Sequence, residues 1–484
     1  MIFLYTASAH FFDCYGGWTS GKGASKPYQW MSIIFVCKHW HLVAFATRQL
    51  WGHVDLKKLE RTRILLRLSG STPLTVLHGS SRFSPEALMQ CLTEIGRIRH
   101  FQLCMHYPIQ YLKEDWLSIP LHAAPQDLRT LEIWLPLPEF TRLFLTPSLT
   151  HLRCHVMTPQ LSIKEAIAIL SSLPRLVELE LVDCLNCYPS FQAYDQVYDG
   201  QKAALPVLEH LTLEDNDAAG VPCALLLQSL LIPATTNISI TLGSRTGPSR
   251  DPNDLAEVFR RISNSLYHSG ASPRSCRIHK KRRRPGRHTG LQINLWPVVF
   301  DVDELSARSE AAEPAGKLSF VLDYTPLWTD HAALDAFLAS FPVSDIYVFE
   351  GHLSSFLPDV WQRFATLCNV THVKASPHPL AHALVEALGI QPPSSTAHDV
   401  ASSASLLFPK LQVLTLDEIR WDEERRSPCS DATISARCRS MLQTRLARGA
   451  PLHSVTVRDL EGFTEFDLLQ LRDSWLDETI DWRS

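Results

Sequence analysis

Five segments of the chain share one apolar template: Leu128-x-x-Leu131-x-Ile133, Leu149-x-x-Leu152-x-Cys154, Leu176-x-x-Leu179-x-Leu181, Leu208-x-x-Leu211-x-Leu213 and Leu411-x-x-Leu414-x-Leu416. Alternation with period two predicts a short strand with one buried face, and tandem recurrence predicts strands stacked on a common core. Parallel neighbours need long crossovers. The segments between supply helix-like patterns, as in Ser162 to Leu173, where Ile163, Ala166, Ile167 and Leu170 fall on one face. The first four starts lie 21, 27 and 32 residues apart, so the period drifts and the connections carry insertions.

Two of these segments continue to Cys184 and Asn216, three residues after the last template position. A short polar side chain there would hydrogen-bond backbone of the neighbouring turn. Together with the leucines this resembles the leucine-rich-repeat signature. Further alternating strands are expected at Pro73 to Leu77, Asn237 to Leu242, Leu291 to Leu295, Leu318 to Leu322, Val343 to Phe349 and Leu452 to Val457. Helices are expected at Leu255 to Leu266, Ala332 to Ser340 and Ser435 to Arg448. Ser84-Pro85-Glu86 opens another, with serine as N-cap, proline in the first helical position and an acid in the first turn. A leucine-rich α/β domain without true repeats is the plainer alternative.

Ahead of this array, Ile33, Val36, Cys37, Trp40, Val43 and Ala44 follow helical spacing, and Leu50, Trp51, Val54 and Leu56 close the stretch. So many large apolar groups must dock on something. Val36-Cys37-Lys38-His39-Trp40-His41-Leu42-Val43-Ala44 followed by Leu50-Trp51-Gly52-His53-Val54-Asp55-Leu56 resembles the second half of an F-box, a V-C-K/R-x-W-x-x-[LIV]-A run leading to L-W and an alternating strand. The leucine-proline-acidic-isoleucine helix that opens that module has no counterpart in residues 1–27, which read as an atypical, glycine-rich leader or as a wrongly predicted gene start. The competing reading of residues 28–56 is a buried amphipathic helix with Trp40 and Trp51 as core fillers.

The expected fold class is therefore α/β: a short helical partial F-box at 28–60, then an irregular leucine-rich-repeat solenoid over 61–484 with parallel strands and interleaved helices. Exposed loops are expected near 269–289, 306–316 and 391–405.

Charge excludes some partners. With 46 basic and 50 acidic residues the formal net charge is −4, so no global field recruits nucleic acid or acidic lipid. No apolar run approaches the roughly twenty residues that cross a bilayer. Twelve cysteines scattered without a framework, several inside apolar segments, fit reduced thiols and a cytoplasmic or nuclear location.

The search for chemistry returns little. Gly16 to Gly23 nearly satisfies a phosphate-cradling loop but has Gly23 where magnesium needs a hydroxyl, and Pro27 where a helix should run. Cys184-Leu185-Asn186-Cys187 is a lone C-x2-C that would need two more ligands, for which Cys154 and His155 are the nearest in the repeat pattern. No catalytic motif, cofactor site or metal site is assigned. Lys280, Lys281, Arg282, Arg283, Arg284 and Arg287 form one basic run, read either as a solvated loop or as a nuclear localisation signal.

The resemblance implies a non-catalytic substrate receptor of a Skp-cullin-F-box ubiquitin ligase. Val36, Cys37, Trp40, Val43, Leu50 and Trp51 would serve adaptor contact or the integrity of the module. The partners would be a Skp-family adaptor, through it a cullin-RING ligase, and a protein target held on the strand face of the repeats, where aromatic or arginine residues would dominate. The alternative is a repeat scaffold with no ligase, its half F-box a cap on the first repeat.

Overall fold

A computed structural model describes residues 29–78, 84–104, 125–134, 141–157, 160–186, 200–215, 220–243, 252–267, 272–281, 290–300, 316–322, 330–352, 358–376, 378–389, 406–417 and 434–458. The leader, Asn216, Cys187, Arg282, Arg283, Arg284, Arg287 and nearly all of the expected loops at 306–316 and 391–405 lie outside these residues. The chain is mixed α/β, built mainly on parallel strands, and divides into two compact units: Met1–Asp215 with Ser229–Thr236, and Asn216–Gln228 with Asn237–Ser484.

In the first unit the strands β1 (His53–Val54), β2 (Leu74–His78), β3 (Ile98–Cys104), β4 (Thr130–Trp134), β5 (His151–His155), β6 (Glu178–Val182) and β8 (His210–Asp215) lie side by side in chain order. Every neighbouring pair is parallel. The short β7 (Ala203–Ala204) and β9 (Leu230–Leu231) form a separate parallel pair. Alternation sets the faces: Leu131, Ile133, Leu152, Cys154, Leu179, Leu181, Leu211 and Leu213 are buried, while the residues between them are half-buried or exposed.

The helices of this unit start where their caps direct. In α3 (Pro85–Leu92), Ser84 Oγ accepts the Ala87 N–H at 3.2 Å, as its sequence predicts. In α4 (Ile163–Ser171), Ser162 and Glu165 form a capping box: Ser162 Oγ accepts from the Glu165 N–H at 3.2 Å and the Glu165 carboxylate accepts from the Ser162 N–H at 3.0 Å. Its buried residues are Ile163, Ala166, Ile167 and Leu170.

Strands β5 and β6 end in left-handed residues, Val156 (φ 51°) and Asp183 (φ 51°). These turn the chain so that Val156 N–H donates to Val182 O at 2.6 Å and Asp183 N–H to Glu214 O at 2.9 Å. Just past the second bend the buried Cys184 thiol donates to Cys154 O at 3.0 Å, one strand back. Burial and that neighbour's thiol push its pKa well up, so it stays a thiol.

The N-terminal stripe is not one helix. A 3-10 segment, Gln29–Phe35, gives way at Val36, and α1 begins only at Lys38 and ends at Ala46. Cys37 is extended (φ −160°) and stands at the helix N-cap, so residues on either side of it no longer share one helical face. A second 3-10 turn, Arg48–Trp51, follows, then β1 and α2 (Leu59–Ser69).

The second unit contains β10 (Asn237–Leu242), β11 (Ser275–Lys281), β12 (Gly290–Trp296), β13 (Leu318–Leu322), β14 (Val348–His352), β15 (His372–Ser376), β16 (Val413–Leu416) and β17 (Ser454–Val457), in the spatial order β10-β13-β12-β11-β14-β15-β16-β17. β12 runs antiparallel to both its neighbours, and the other pairs are parallel. Two sequence expectations are corrected here. Residues 275–281, assigned to a loop because of their charge, are an interior strand in which Cys276 and Ile278 are buried. The run Val343 to Phe349 is split into a 3-10 turn, Val343–Asp345, and β14, which starts five residues later than expected.

Helices α5 (Val221–Gln228), α6 (Pro252–Leu266), α7 (Asp330–Ser340), α8 (Pro358–Arg363), α9 (His378–Gly389) and α10 (Ile434–Ala447) complete the unit. Phe259, Phe320, Phe337 and Phe341 pack edge-on or stacked in one aromatic cluster, and Phe349, Trp361, Phe364 and Phe408 in a second. Arg445, on α10, is fully buried, donating from Nη1 to Leu407 O and from Nη2 to Phe408 O, each at 3.0 Å. Among the described residues no helix is long and apolar enough to cross a membrane.

Candidate interaction surfaces

Two surfaces among the described residues present the residues of interest to solvent, both in the first unit. The first surrounds α1. Its foundation is Ala44, Leu50 and Trp51, all buried. The Trp51 indole N–H donates to Ala44 O at 2.9 Å, tying the 3-10 turn to the end of the helix, and its ring meets Phe45 at 5.1 Å. The turn also continues the sheet edge, because Thr75 N–H donates to Gly52 O at 2.8 Å. Above this base Phe35 (82% exposed), Val36 (63%), Leu42 (68%), Trp40 and Phe45 stand in solvent.

The six residues singled out in this stretch therefore divide by role. Leu50 and Trp51 are core, Val43 is half-buried, and Val36, Cys37 and Trp40 are exposed. Large apolar side chains are thus left in solvent around a packed base, the kind of exposure that marks a candidate interaction surface.

The second surface is the polar face of the parallel sheet. Register aligns side chains of successive strands into rows. One row runs His53, Thr75, His100, Thr130, His151, Glu178, His210. The next includes Gln102, Glu132, Arg153, Glu180 and Thr212, and the third includes Trp134, His155, Val182 and Glu214.

Arg153 is the hub. Its Nη2 and Nε lie 2.6 and 2.9 Å from Glu178 Oε1, its Nε 3.5 Å from Glu180, and its Nη1 3.9 Å from Glu132. Glu132 also accepts from Gln102 at 2.9 Å and from the Trp134 indole at 3.2 Å. The Trp134 ring stacks on His155 with centroids 4.2 Å apart and planes at 18°.

Burial first, then Arg153, lowers the His155 pKa to about 4, and burial with the nearby His100 does the same at His53. His100 is lowered as well, by burial and then by His151, Arg99 and Arg129. Burial raises the Glu180 carboxyl above its usual range, and Glu132, Glu178 and Glu214 add to this against the pull of Arg153. Three carboxylates, Glu132, Glu178 and Glu180, thus lie within 3.9 Å of the Arg153 guanidinium, and burial disfavours the charged form of the His53, His100 and His155 imidazoles beside them.

In the second unit a polar row holds Asn294, Ser319, Glu350, Lys374 and Thr415, all buried, with the half-buried Arg277 between Asn294 and Glu350. The basic run joins that sheet at its start, since Lys280 and Lys281 are the last residues of β11. Among the described residues no three or more His, Cys, Asp or Glu side chains gather as a metal site. Neither the family models nor the curated proteins contain a match to this chain.

Sequence reasoning marked the buried positions of the template and left its intervening ones unread. Glu132, Arg153, Glu178 and Glu180 occupy those intervening positions, and Trp134 and His155 the ones just past the template. The signal was present in the alternation, but only strand register shows which of them meet.

Proposed function

We propose that this protein is the substrate-recognition subunit of a Skp-cullin-F-box ubiquitin ligase, docking on the adaptor through α1 and holding a protein target on the polar strand face of its first unit. What carries the reading is the exposed group Phe35, Val36, Trp40, Leu42 and Phe45 above the packed Leu50 and Trp51, in the stretch whose sequence resembles an F-box. The resemblance supplies the partner, and the separation of exposed and buried residues supplies the division of labour. The strand face offers the aromatic and arginine residues, Trp134 and Arg153, that commonly dominate protein recognition. The leucine template supports a repeat solenoid of irregular period, with the polar rows as its binding side.

A second reading has its own support. Gly52 accepts a hydrogen bond from Thr75 of β2, so the same segment closes the sheet edge and would serve a ligase-free scaffold as a cap.

Co-purification separates the two. The full chain, as wild type and as Trp40→Ala, is expressed in eukaryotic cells and tested for a bound Skp-family adaptor. Retention by wild type and loss in the variant is the expected outcome. Absence of adaptor from a folded wild-type sample refutes the ligase reading and leaves the scaffold.

A further inference from the structure

The net charge of −4 hides an asymmetry. Residues 1–83 hold ten Lys or Arg and three Asp or Glu, which leaves 36 basic and 47 acidic residues to the rest of the chain. Between Asp13 and Asp55 there is no acidic residue at all. Asp13 lies outside the described residues, and the other two acids are engaged: Asp55 is buried 3.7 Å from the Lys57 ammonium, and Glu60 pairs with Arg63 at 3.1 Å. Four exposed cations, Lys38, Arg48, Lys58 and Arg67, have no carboxylate partner among the described residues.

These cations accompany the exposed apolar group around α1. Lys38 is the first residue of that helix, just after Phe35 and Val36. Arg48 is fitted against Gly70, where a Cβ would come 3.1 Å from Arg48 Cδ, and so lies at the C-terminal end of α2, where the helix dipole favours a cation. Lys58 is the N-cap residue of α2, and Arg67 stands in its last turn. Apolar contact alone does not choose a partner, whereas a surplus of one charge rejects like-charged surfaces and draws in opposite ones. The shape then favours protein over lipid. Phe35 and Val36 precede the backbone break at Cys37, and within α1 Trp40 and Leu42 point about 200° apart, so the apolar group is stepped. A membrane is best met by one continuous apolar stripe.

We infer that the surface around α1 fits a protein partner whose docking groove is apolar at its centre and lined with carboxylates at its rim, the attraction coming from Lys38, Arg48, Lys58 and Arg67. The inference names the chemistry of the partner in the adaptor half of the proposed function and rests on that reading. It also divides the kinetics. The cations stand at exposed positions around the apolar group, so they govern the rate of encounter and its salt dependence. The apolar side chains govern how long the complex lasts.

The test immobilises the full chain and passes a purified Skp-family adaptor over it at low and high salt, reading both rates by biolayer interferometry. Association with wild type slows several-fold as salt rises, while dissociation changes little. At low salt the double variant Lys38→Gln with Lys58→Gln slows association about threefold or more and leaves dissociation nearly unchanged. Leu42→Ala does the reverse, speeding dissociation. Lys410→Gln, in the second unit, alters neither rate. Circular dichroism checks that each variant is folded, and if the double variant is not, Lys38→Gln alone is read, with a smaller slowing in the same direction. An association rate that neither salt nor a folded cation variant alters overturns the inference and leaves adaptor docking standing. No adaptor bound by folded wild type at either salt refutes the adaptor reading and the inference with it. If the chain that binds no adaptor is captured by vesicles of phosphatidylcholine with phosphatidylserine and not by phosphatidylcholine alone, the surface belongs to lipid and the inference is likewise overturned.

Discussion

Trp51 and Trp40 are eleven positions apart in a stretch that reads as one apolar motif, and they should respond to truncation in opposite ways. Trp51 is 1% exposed. Truncating it to alanine removes a buried indole, which costs about 3–5 kcal/mol. The lost indole hydrogen bond to Ala44 O adds about 1 kcal/mol. That increment stays near 1 because Ala44 O still accepts from Thr47 N–H at 3.3 Å. A unit of this size loses about 2–4 °C in Tm per kcal/mol, so the total of about 4–6 kcal/mol lowers the first unit's Tm by about 8 °C or more. Trp51→Phe keeps an aromatic ring near Phe45 and loses less. Trp40 is 38% exposed, and Trp40→Ala should stay within about 0.5 kcal/mol of wild type. Differential scanning calorimetry of the three variants decides the matter. A Trp51→Ala transition within about 2 °C of wild type, or a Trp40→Ala transition lowered as much as Trp51→Ala, refutes this division between foundation and surface.

Acid should weaken the first unit through His155, whose imidazole takes a proton near 6.5 in the unfolded chain but only at about 4 when folded. The unfolded state then binds more protons between those values, so stability is full above pH 6.5 and falls toward pH 4, by up to about 3 kcal/mol. His155→Phe keeps the ring stack on Trp134 and flattens that dependence in urea titrations. Arg445→Ala removes a donor from Leu407 O and from Phe408 O, which still accepts from Leu411 N–H at 3.0 Å, and opens a cavity, for a loss of about 3 kcal/mol or more. Arg445→Met fills the space and should lose roughly half as much by chemical denaturation. Val156 holds a left-handed backbone that a β-branched residue resists, and its side chain is partly exposed. Val156→Asn should therefore raise stability by about 1 kcal/mol, read from the same titrations.

Half-buried strands were the legible part of this fold. β4, β6 and β8 alternate throughout and β5 over all but its last residue, β10 spans the run that its sequence marks, and so does β13, although it is buried along its whole length. What escaped had no period to read. α5 is buried on all sides from Val221 to Leu227, so its apolar residues show no helical stripe. β11 ends in Lys280 and Lys281, whose charge hid the alternation of Cys276 and Ile278 with Arg277 and His279. β15 was concealed in a similar way by Lys374, which is buried against Asp417 at 2.6 Å. The α1 stripe misled in the other direction: its spacing is helical, but the backbone breaks at Cys37 and leaves part of the stripe in water. As for the strand face, Glu132, Arg153 and Glu180 stand more than twenty residues apart in the chain, and a single sequence does not bring them together.

The inverted strand β12 bears on how the second unit is made. β10 is followed along the chain by β11, yet its neighbour in the sheet is β13, and β11 pairs instead with β12 and β14. A nascent chain that has emerged as far as Lys281 thus has two strands with no bond between them and two vacant places separating them. Sequential growth, strand upon strand, pauses there until Leu322 has left the ribosome and the β12–β13 pair can fill the gap. Chains ending between Lys281 and Leu322 should accordingly be caught by chaperones or aggregate, whereas the main strands of the first unit, β1 to β6 and β8, are each made next to the neighbour they pair with.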